Sequence, residues 1–321
     1  MLVLLWTLTG VLHPIMSATQ PQPAKRMPPP QQLELASAQP LPAVLQQQQV
    51  RQVAQVQAIQ LAAGQMAYRI QLPGQAIARY VDAHSGSEIT DGERKDAERL
   101  ALWYSGRQAG DIQGSNIITA FSDDYPSVNR LLPVWQVQFS DGLRAYVDPP
   151  QSRLATLSND RKMWMARIFR LGHTWTWGQN PWPGQHLLMK LALSACLVLL
   201  VLGVVLFGKI RNRANHRLKN QPARRVHRML GMGLSVFILL WLFSGLYHIW
   251  HKPQQLPTQN AVFNTADLSM QAWQAAVAKP VQRISLAPLG RMAGSTAQAV
   301  WLVQPAGSKG MQGSMTAMPE H

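Results

Sequence analysis

The chain has 321 residues, 47% of them hydrophobic and only 14% charged, a balance that excludes a disordered polymer and is too apolar for an ordinary soluble enzyme, so part of it is expected in lipid. One cysteine, Cys196, excludes an internal disulfide and any zinc or iron–sulfur site built from several cysteines of this chain. The net charge of +15 suggests nucleic acid, but eight Lys or Arg and no acidic residue lie between Lys209 and Arg228, flanked by apolar runs, and that reading fades.

In chain order, residues 1–16 (MLVLLWTLTGVLHPIM) come first, short for a membrane span and lacking both the basic start and the small-residue cleavage site of a signal peptide. They are expected to form a truncated transmembrane helix. An internal repeat supports this: Leu4-Leu5-Trp6, Thr9-Gly10 and His13 recur as Leu239-Leu240-Trp241, Ser244-Gly245 and His248 at a constant offset of 235. The counterparts of His227 and Arg228 would precede Met1, so the repeat predicts that the inner half of this helix lies before the sequence begins.

Residues 17–53 are dominated by Gln and Pro and predict a linker that buries little. From 54 to 160 the pattern predicts an α+β region with two similar hairpins. Tyr68-Arg69-Ile70-Gln71-Leu72, a Pro73-Gly74 turn and Tyr80-Val81-Asp82 match Trp135-Gln136-Val137-Gln138-Phe139, an Asp141-Gly142 turn and Tyr146-Val147-Asp148. Between them Thr90-Asp91-Gly92-Glu93 reads as a capping box opening a helix through Tyr104. Residues 161–186, with Trp164, Trp175, Trp177 and Trp182 among Arg161, Lys162, Arg167 and Arg170, predict an interfacial amphipathic segment.

Residues 187–208 and 229–250 are apolar runs with Lys190 as their only charge. At about 1.5 Å per residue either spans the roughly 30 Å hydrocarbon core. The basic loop 209–228 between them should face the cytoplasm, which places both long flanks outside. The flank before Leu187 is near charge balance, with 16 basic and 13 acidic residues, as suits a translocated segment. Residues 251–321 form the remaining outer region. Met311, Met315, Met318 and His321 have soft-ligand character, but their Gly/Ser/Met-rich tail is expected to be disordered.

The paired LLWxx[ST]GxxH helices, the stretch Val226-His227-Arg228-Met229-Leu230-Gly231 and the hairpin FSDGLRAYVDPPQSRL from Phe139 to Leu154 resemble the PepSY-associated transmembrane proteins, over roughly residues 1–253. The resemblance implies a bacterial inner-membrane protein: an α-helical transmembrane bundle, three spans visible here and usually four in the family, with periplasmic α+β PepSY-like modules. It also implies haem b, for which two groups are expected here, and reduction of ferric siderophore complexes in the periplasm by electrons from a cytoplasmic or membrane donor. The partners so implied are the lipid bilayer, that donor and the ferric complex, with no nucleic acid.

Histidines are the residues placed for such chemistry. His13, His173, His227 and His248 lie at or beside membrane helix ends, where an imidazole is either interfacial and hydrogen-bonded or functional. His13 and His248 occupy one repeat position, as two helices sharing a haem iron would place them. His227 precedes His248 by 21 residues, which is about 31 Å along a helix and about 60° short of whole turns. That spacing fits one haem near each surface. His173 is a second outer candidate and His216 a weak inner one, while His186 and His251 read as interfacial. The competing reading is a non-catalytic, membrane-tethered PepSY module that binds or inhibits a protease or senses a ligand. No Ser-His-Asp order, P-loop or GxGxxG occurs in a credible context.

Overall fold

A computed structural model describes residues 2–176, 184–217, 222–250, 261–278, 281–288, 299–305 and 314–316. In chain order its elements are α1 (Leu2–Thr19), α2 (Leu41–Gln47), β1 (Gln52–Val53), β2 (Gln55–Gln60), β3 (Met66–Gln71), β4 (Arg79–Asp82), α3 (Gly92–Ser105), β5 (Ile112–Ile118), β6 (Val134–Phe139), β7 (Arg144–Asp148), β8 (Arg153–Ser158) and α4 (Asp160–Phe169). There follow α5 (Gln185–Arg217), α6 (Pro222–Trp250), β9 (Phe263–Asn264), α7 (Met270–Val277), β10 (Val281–Pro288), β11 (Ala299–Pro305) and β12 (Ser314–Thr316). The chain divides into two units, Met1–Phe169 with Thr258–His321, and Arg170–Pro257.

In the first unit a helix followed by an antiparallel meander occurs three times: α2 with β2-β3-β4, α3 with β5 to β8, and α7 with β10-β11-β12. The first and third meanders merge into one six-stranded sheet, ordered β12-β11-β10-β2-β3-β4, through the pairing Ile284↔Ala58 and Ser285↔Gln57. The second forms its own sheet, β5-β6-β7-β8. Both predicted hairpins are present, β3 with β4 and β6 with β7. Gly142 takes φ +79° in the turn between β6 and β7, a conformation that glycine reaches without Cβ strain.

Residues alternate across β3. Met66, Tyr68 and Ile70 enter a core with Leu41, Val44 and Leu45 of α2 and Ala272, Trp273 and Ala276 of α7. Tyr68, Trp273 and Trp301 meet edge-on there, with ring centroids 5.8 and 5.0 Å apart. Ala67 and Arg69 point the other way, toward α3, whose own Ala97, Leu100, Ala101 and Tyr104 pack on the second sheet. Helix α3 therefore lies between two sheets.

Four predictions need correction. The Gln/Pro-rich stretch 17–53 is no inert linker: Leu33, Leu35, Leu41, Val44, Leu45, Val50 and Val53 are all buried, and the Tyr68 hydroxyl donates to the Gln39 carbonyl at 2.7 Å. Composition averages away seven apolar positions, and Gln is itself a good helix former. The capping box does not form. Asp91 adopts the left-handed conformation at φ +56°, and the Glu93 carboxylate turns inward to accept from the Ala78 backbone N–H and the Trp135 indole. The C-terminal region is integral to the first sheet, and Ser314–Thr316 of the tail pairs with β11; Met311, Met318 and His321 lie outside the described residues. The loop 209–228 is mostly helix, because an apolar run marks the lipid-embedded part of a helix rather than its end, and Lys and Arg continue helices readily. Residues 218–221 lie outside the described residues.

In the second unit α5 and α6 pack antiparallel. The Lys190 ammonium lies 4.9 Å from the Trp250 ring, Leu193 lies 3.6 Å from where a Cβ on Gly245 would be, and Arg228 lies 4.4 Å over Phe207. Leu187, Leu191, Leu199, Leu202, Phe237, Leu240 and Phe243 are exposed on them. Outward-facing apolar side chains are what lipid-embedded helices present and what the core helices of soluble proteins hide. Among the described residues two helices are long and apolar enough to cross a membrane, Gln185–Lys209 and Pro222–Tyr247. The first helix, α1, has 18 residues with Pro14 inside it and is not one of them.

Candidate functional site

The predicted histidines fall in both units. His13 sits exposed on α1, its ring 5.6 Å from the Phe169 ring of α4 at an interplanar angle of 53°. His173, half-buried, lies in a π-helical turn over Arg170–Thr174, which the Trp175 indole closes by donating to the Gly172 carbonyl at 3.2 Å. His227 is exposed near the start of α6, and His248 occupies the third position from its end, its side chain outside the described residues. One unbroken helix thus carries His227 and His248 at opposite ends, about 31 Å apart. Trp177, Trp182 and His251 lie outside the described residues. Among the described residues no three His, Cys, Asp or Glu side chains converge on a metal-sized space.

The glycines beside these histidines differ in surroundings. A Cβ on Gly245, three residues before His248, would touch Leu193, so this glycine serves the packing of α6 on α5. A Cβ on Gly231, one turn beyond His227, would meet nothing within 4 Å. The same holds at Gly203, Gly208 and Gly233. His227 is an exposed imidazole on α6, a donor of the type that can bind haem iron.

A buried ionic network in the first unit was missed by the sequence reading. Asp96 of α3, fully buried, takes two hydrogen bonds from Arg99, at 2.7 and 3.1 Å, and one from the Tyr80 hydroxyl at 3.0 Å. Arg69 of β3, equally enclosed, lies 3.8 Å from Asp96 and donates to the Pro149 and Pro150 carbonyls and to the Gln57 amide. It ties the six-stranded sheet to the segment between β7 and β8. Burial pushes the Glu93 and Asp148 carboxyls above the usual carboxylate range and, with Asp96 facing it, the Tyr80 phenol well above its own. The signal was the Glu93, Asp96, Arg99 spacing, which puts three ionisable groups along one face of α3.

Among the described residues of this unit clefts open, two of which have charged walls. One, of about 380 Å³, is bounded by Glu93, Asp148, Trp135, Pro73 and Pro133. The other, of about 800 Å³, has a floor of Leu61, Leu102, Trp103 and Ile112 and a rim carrying Arg94, Lys95, Arg99 and Glu98, the last paired with Arg94.

The chain matches the family model of the PepSY-associated TM region over residues 1–316. It belongs to this family. The match runs well past residue 253, where the motifs cease to be legible, in keeping with the C-terminal strands being part of the first sheet. No curated protein and no solved structure matches the chain. Family membership and the two exposed apolar helices together make this PepSY-associated chain a membrane protein.

Proposed function

We propose that this PepSY-associated protein is a haem-b electron carrier of the bacterial inner membrane that reduces a ferric complex, of the siderophore kind, in the periplasm with electrons from a cytoplasmic or membrane donor. The supporting observation is that α6 carries an imidazole at each end of one membrane-length helix, with an open face beside His227. His227 and His248 each offer an axial nitrogen. His13, equivalent to His248 in the repeat, and His173, ahead of α5, are the other candidate ligands. Bound at such ligands, haem b supplies a one-electron couple whose blocked axial positions favour electron transfer over oxygen chemistry. The exposed Leu, Val and Phe side chains of α5 and α6 are suited to face lipid. The basic segment around Arg224 and Arg225 orients that end toward the cytoplasm, and α1 would add a third span.

A pyridine haemochrome assay for haem content and the absorption spectrum of the intact detergent-purified protein for spin state test the reading. Haem should be present, His248→Ala and His227→Ala should each alter part of its low-spin spectrum, and His186→Ala should leave it unchanged. Absence of haem, or a parental spectrum in both ligand variants, removes the proposal. The second reading, a tethered module that binds a ligand without redox chemistry, draws on the cleft of about 800 Å³, whose apolar floor and charged rim have the size of a small-molecule site.

A further inference from the structure

Arg228 presents an unsolved electrostatic problem. Its guanidinium lies over the Phe207 ring of α5, 4.4 Å from the centroid, and both terminal nitrogens are buried with no hydrogen-bond partner among the described residues. A ring face satisfies the face of a guanidinium only; the N–H donors lie in its plane and point away from the contact. The unit that holds Arg228, residues 170–257, contains no Asp or Glu, so none of its side chains can supply a counter-charge. Arg224 and Arg225 precede it by one turn on the same helix, which adds repulsion. Beside it Gly231 leaves open space where any larger residue would project.

From these observations we propose that Arg228, backed by Phe207 and cleared by Gly231, is a binding site for one oxyanion, a phosphate or a carboxylate, at the basic end of the helix pair. The planar fork of the guanidinium engages two oxygens of such a group at once, and the aromatic face behind it fixes its plane. Two sources carry this chemistry: the headgroup phosphate of an anionic lipid, which the membrane character of the chain makes available, and a propionate of haem held at His227. The second source rests on the proposed function; the first does not.

The test uses the full chain in nanodiscs of phosphatidylcholine with and without phosphatidylglycerol, and three variants: Arg228→Gln, Arg228→Lys and, as a control in the same basic run, Arg225→Gln. In the lipid arm, native mass spectrometry of the released protein should show a phosphatidylglycerol adduct on the parent and on Arg225→Gln that Arg228→Gln loses. Arg228→Lys, which keeps charge without the fork, should hold it less well. In the haem arm, titration followed in the Soret band compares haem with its dimethyl ester, which lacks both carboxylates. A propionate at Arg228 makes Arg228→Gln bind haem about tenfold more weakly, the loss of one charge-assisted pair, and leaves the ester unaffected. An effect in either arm identifies the source. If Arg228→Gln, inserted and monodisperse like the parent, matches it in both arms, the site does not exist. If no haem binds at all, the electron-transfer reading falls and the lipid arm alone decides this one.

Discussion

A methyl group at Gly92 would sit 2.3 Å from Tyr80 Cβ and 2.6 Å from its Cγ, both on the backbone-near part of a buried side chain that cannot swing away. Gly92→Ala should therefore cost about 1–3 kcal/mol or more through overpacking, read as a lower denaturant midpoint of the detergent-solubilised protein by tryptophan fluorescence. Gly110→Ala, where a Cβ meets nothing, is the control. Asp96→Asn tests the buried network: it strands Arg69 and Arg99 without a full counter-charge and should cost about 3–5 kcal/mol. Arg94→Ala breaks two partly exposed pairs, to Asp91 and Glu98, and should cost less than about 1 kcal/mol. Asp82 titrates oppositely to Glu93. Partial burial alone would raise its carboxyl, but hydrogen bonds from Gln65, Ser85 and His84 outweigh that and bring it from 3.8 to about 2. A depressed folded value adds stability above the unfolded value and loses it as pH falls through the folded one. The stability gap between the parent and Asp82→Asn should hold above pH 3.8 and close as pH falls toward 2, which denaturant midpoints across that range would check.

At the scale of elements, the C-terminal strands carry the clearest consequence. β10 lies at the middle of the six-stranded sheet, next to β2, and the segment around it brings Trp273 and Trp301 into the main core. Ending the chain after Gln259 should expose the β2 edge and the α2 face, seen as rapid proteolysis between Leu33 and Gln71 in spheroplasts. Removing Gly310–His321 takes away only a three-residue edge strand and should leave that region protected. Equal sensitivity of the two truncations would show that β10 and β11 add nothing to the sheet. α2 and α7 share the face against which Tyr68 packs, so the Gln-rich stretch and the C-terminal helix stand or fall together.

For the whole molecule the proposed function requires one orientation across the bilayer, with the basic end in the cytoplasm. In a Cys196→Ser background, a cysteine at Ser140, exposed in the turn between β6 and β7, should react with a membrane-impermeant maleimide in intact spheroplasts, while one at Asn220 should react only after lysis. The reverse pattern would place the basic end outside and defeat periplasmic iron reduction.

Much of this was readable in one dimension because the physics involved is local or additive. Twenty-odd apolar residues in a row are long enough for a bilayer wherever they occur, and two stretches of alternating residues with a Gly-bearing turn close hairpins without help from the rest of the chain. The repeat that pairs His13 with His248, and the spacing that sets His227 and His248 at opposite ends of one helix, are likewise properties of the string. Tertiary structure alone decided what depends on distant partners. Leu41, Val44 and Leu45 are buried because α7, more than 220 residues later, covers them. Glu93 abandons its capping role because Trp135 and the Ala78 N–H solvate it better than its own helix terminus does. Arg69, an ordinary strand residue by pattern, becomes a buried cation because α3 is held over its face of the sheet, and burial strength is set by what covers a residue, which no local spacing encodes.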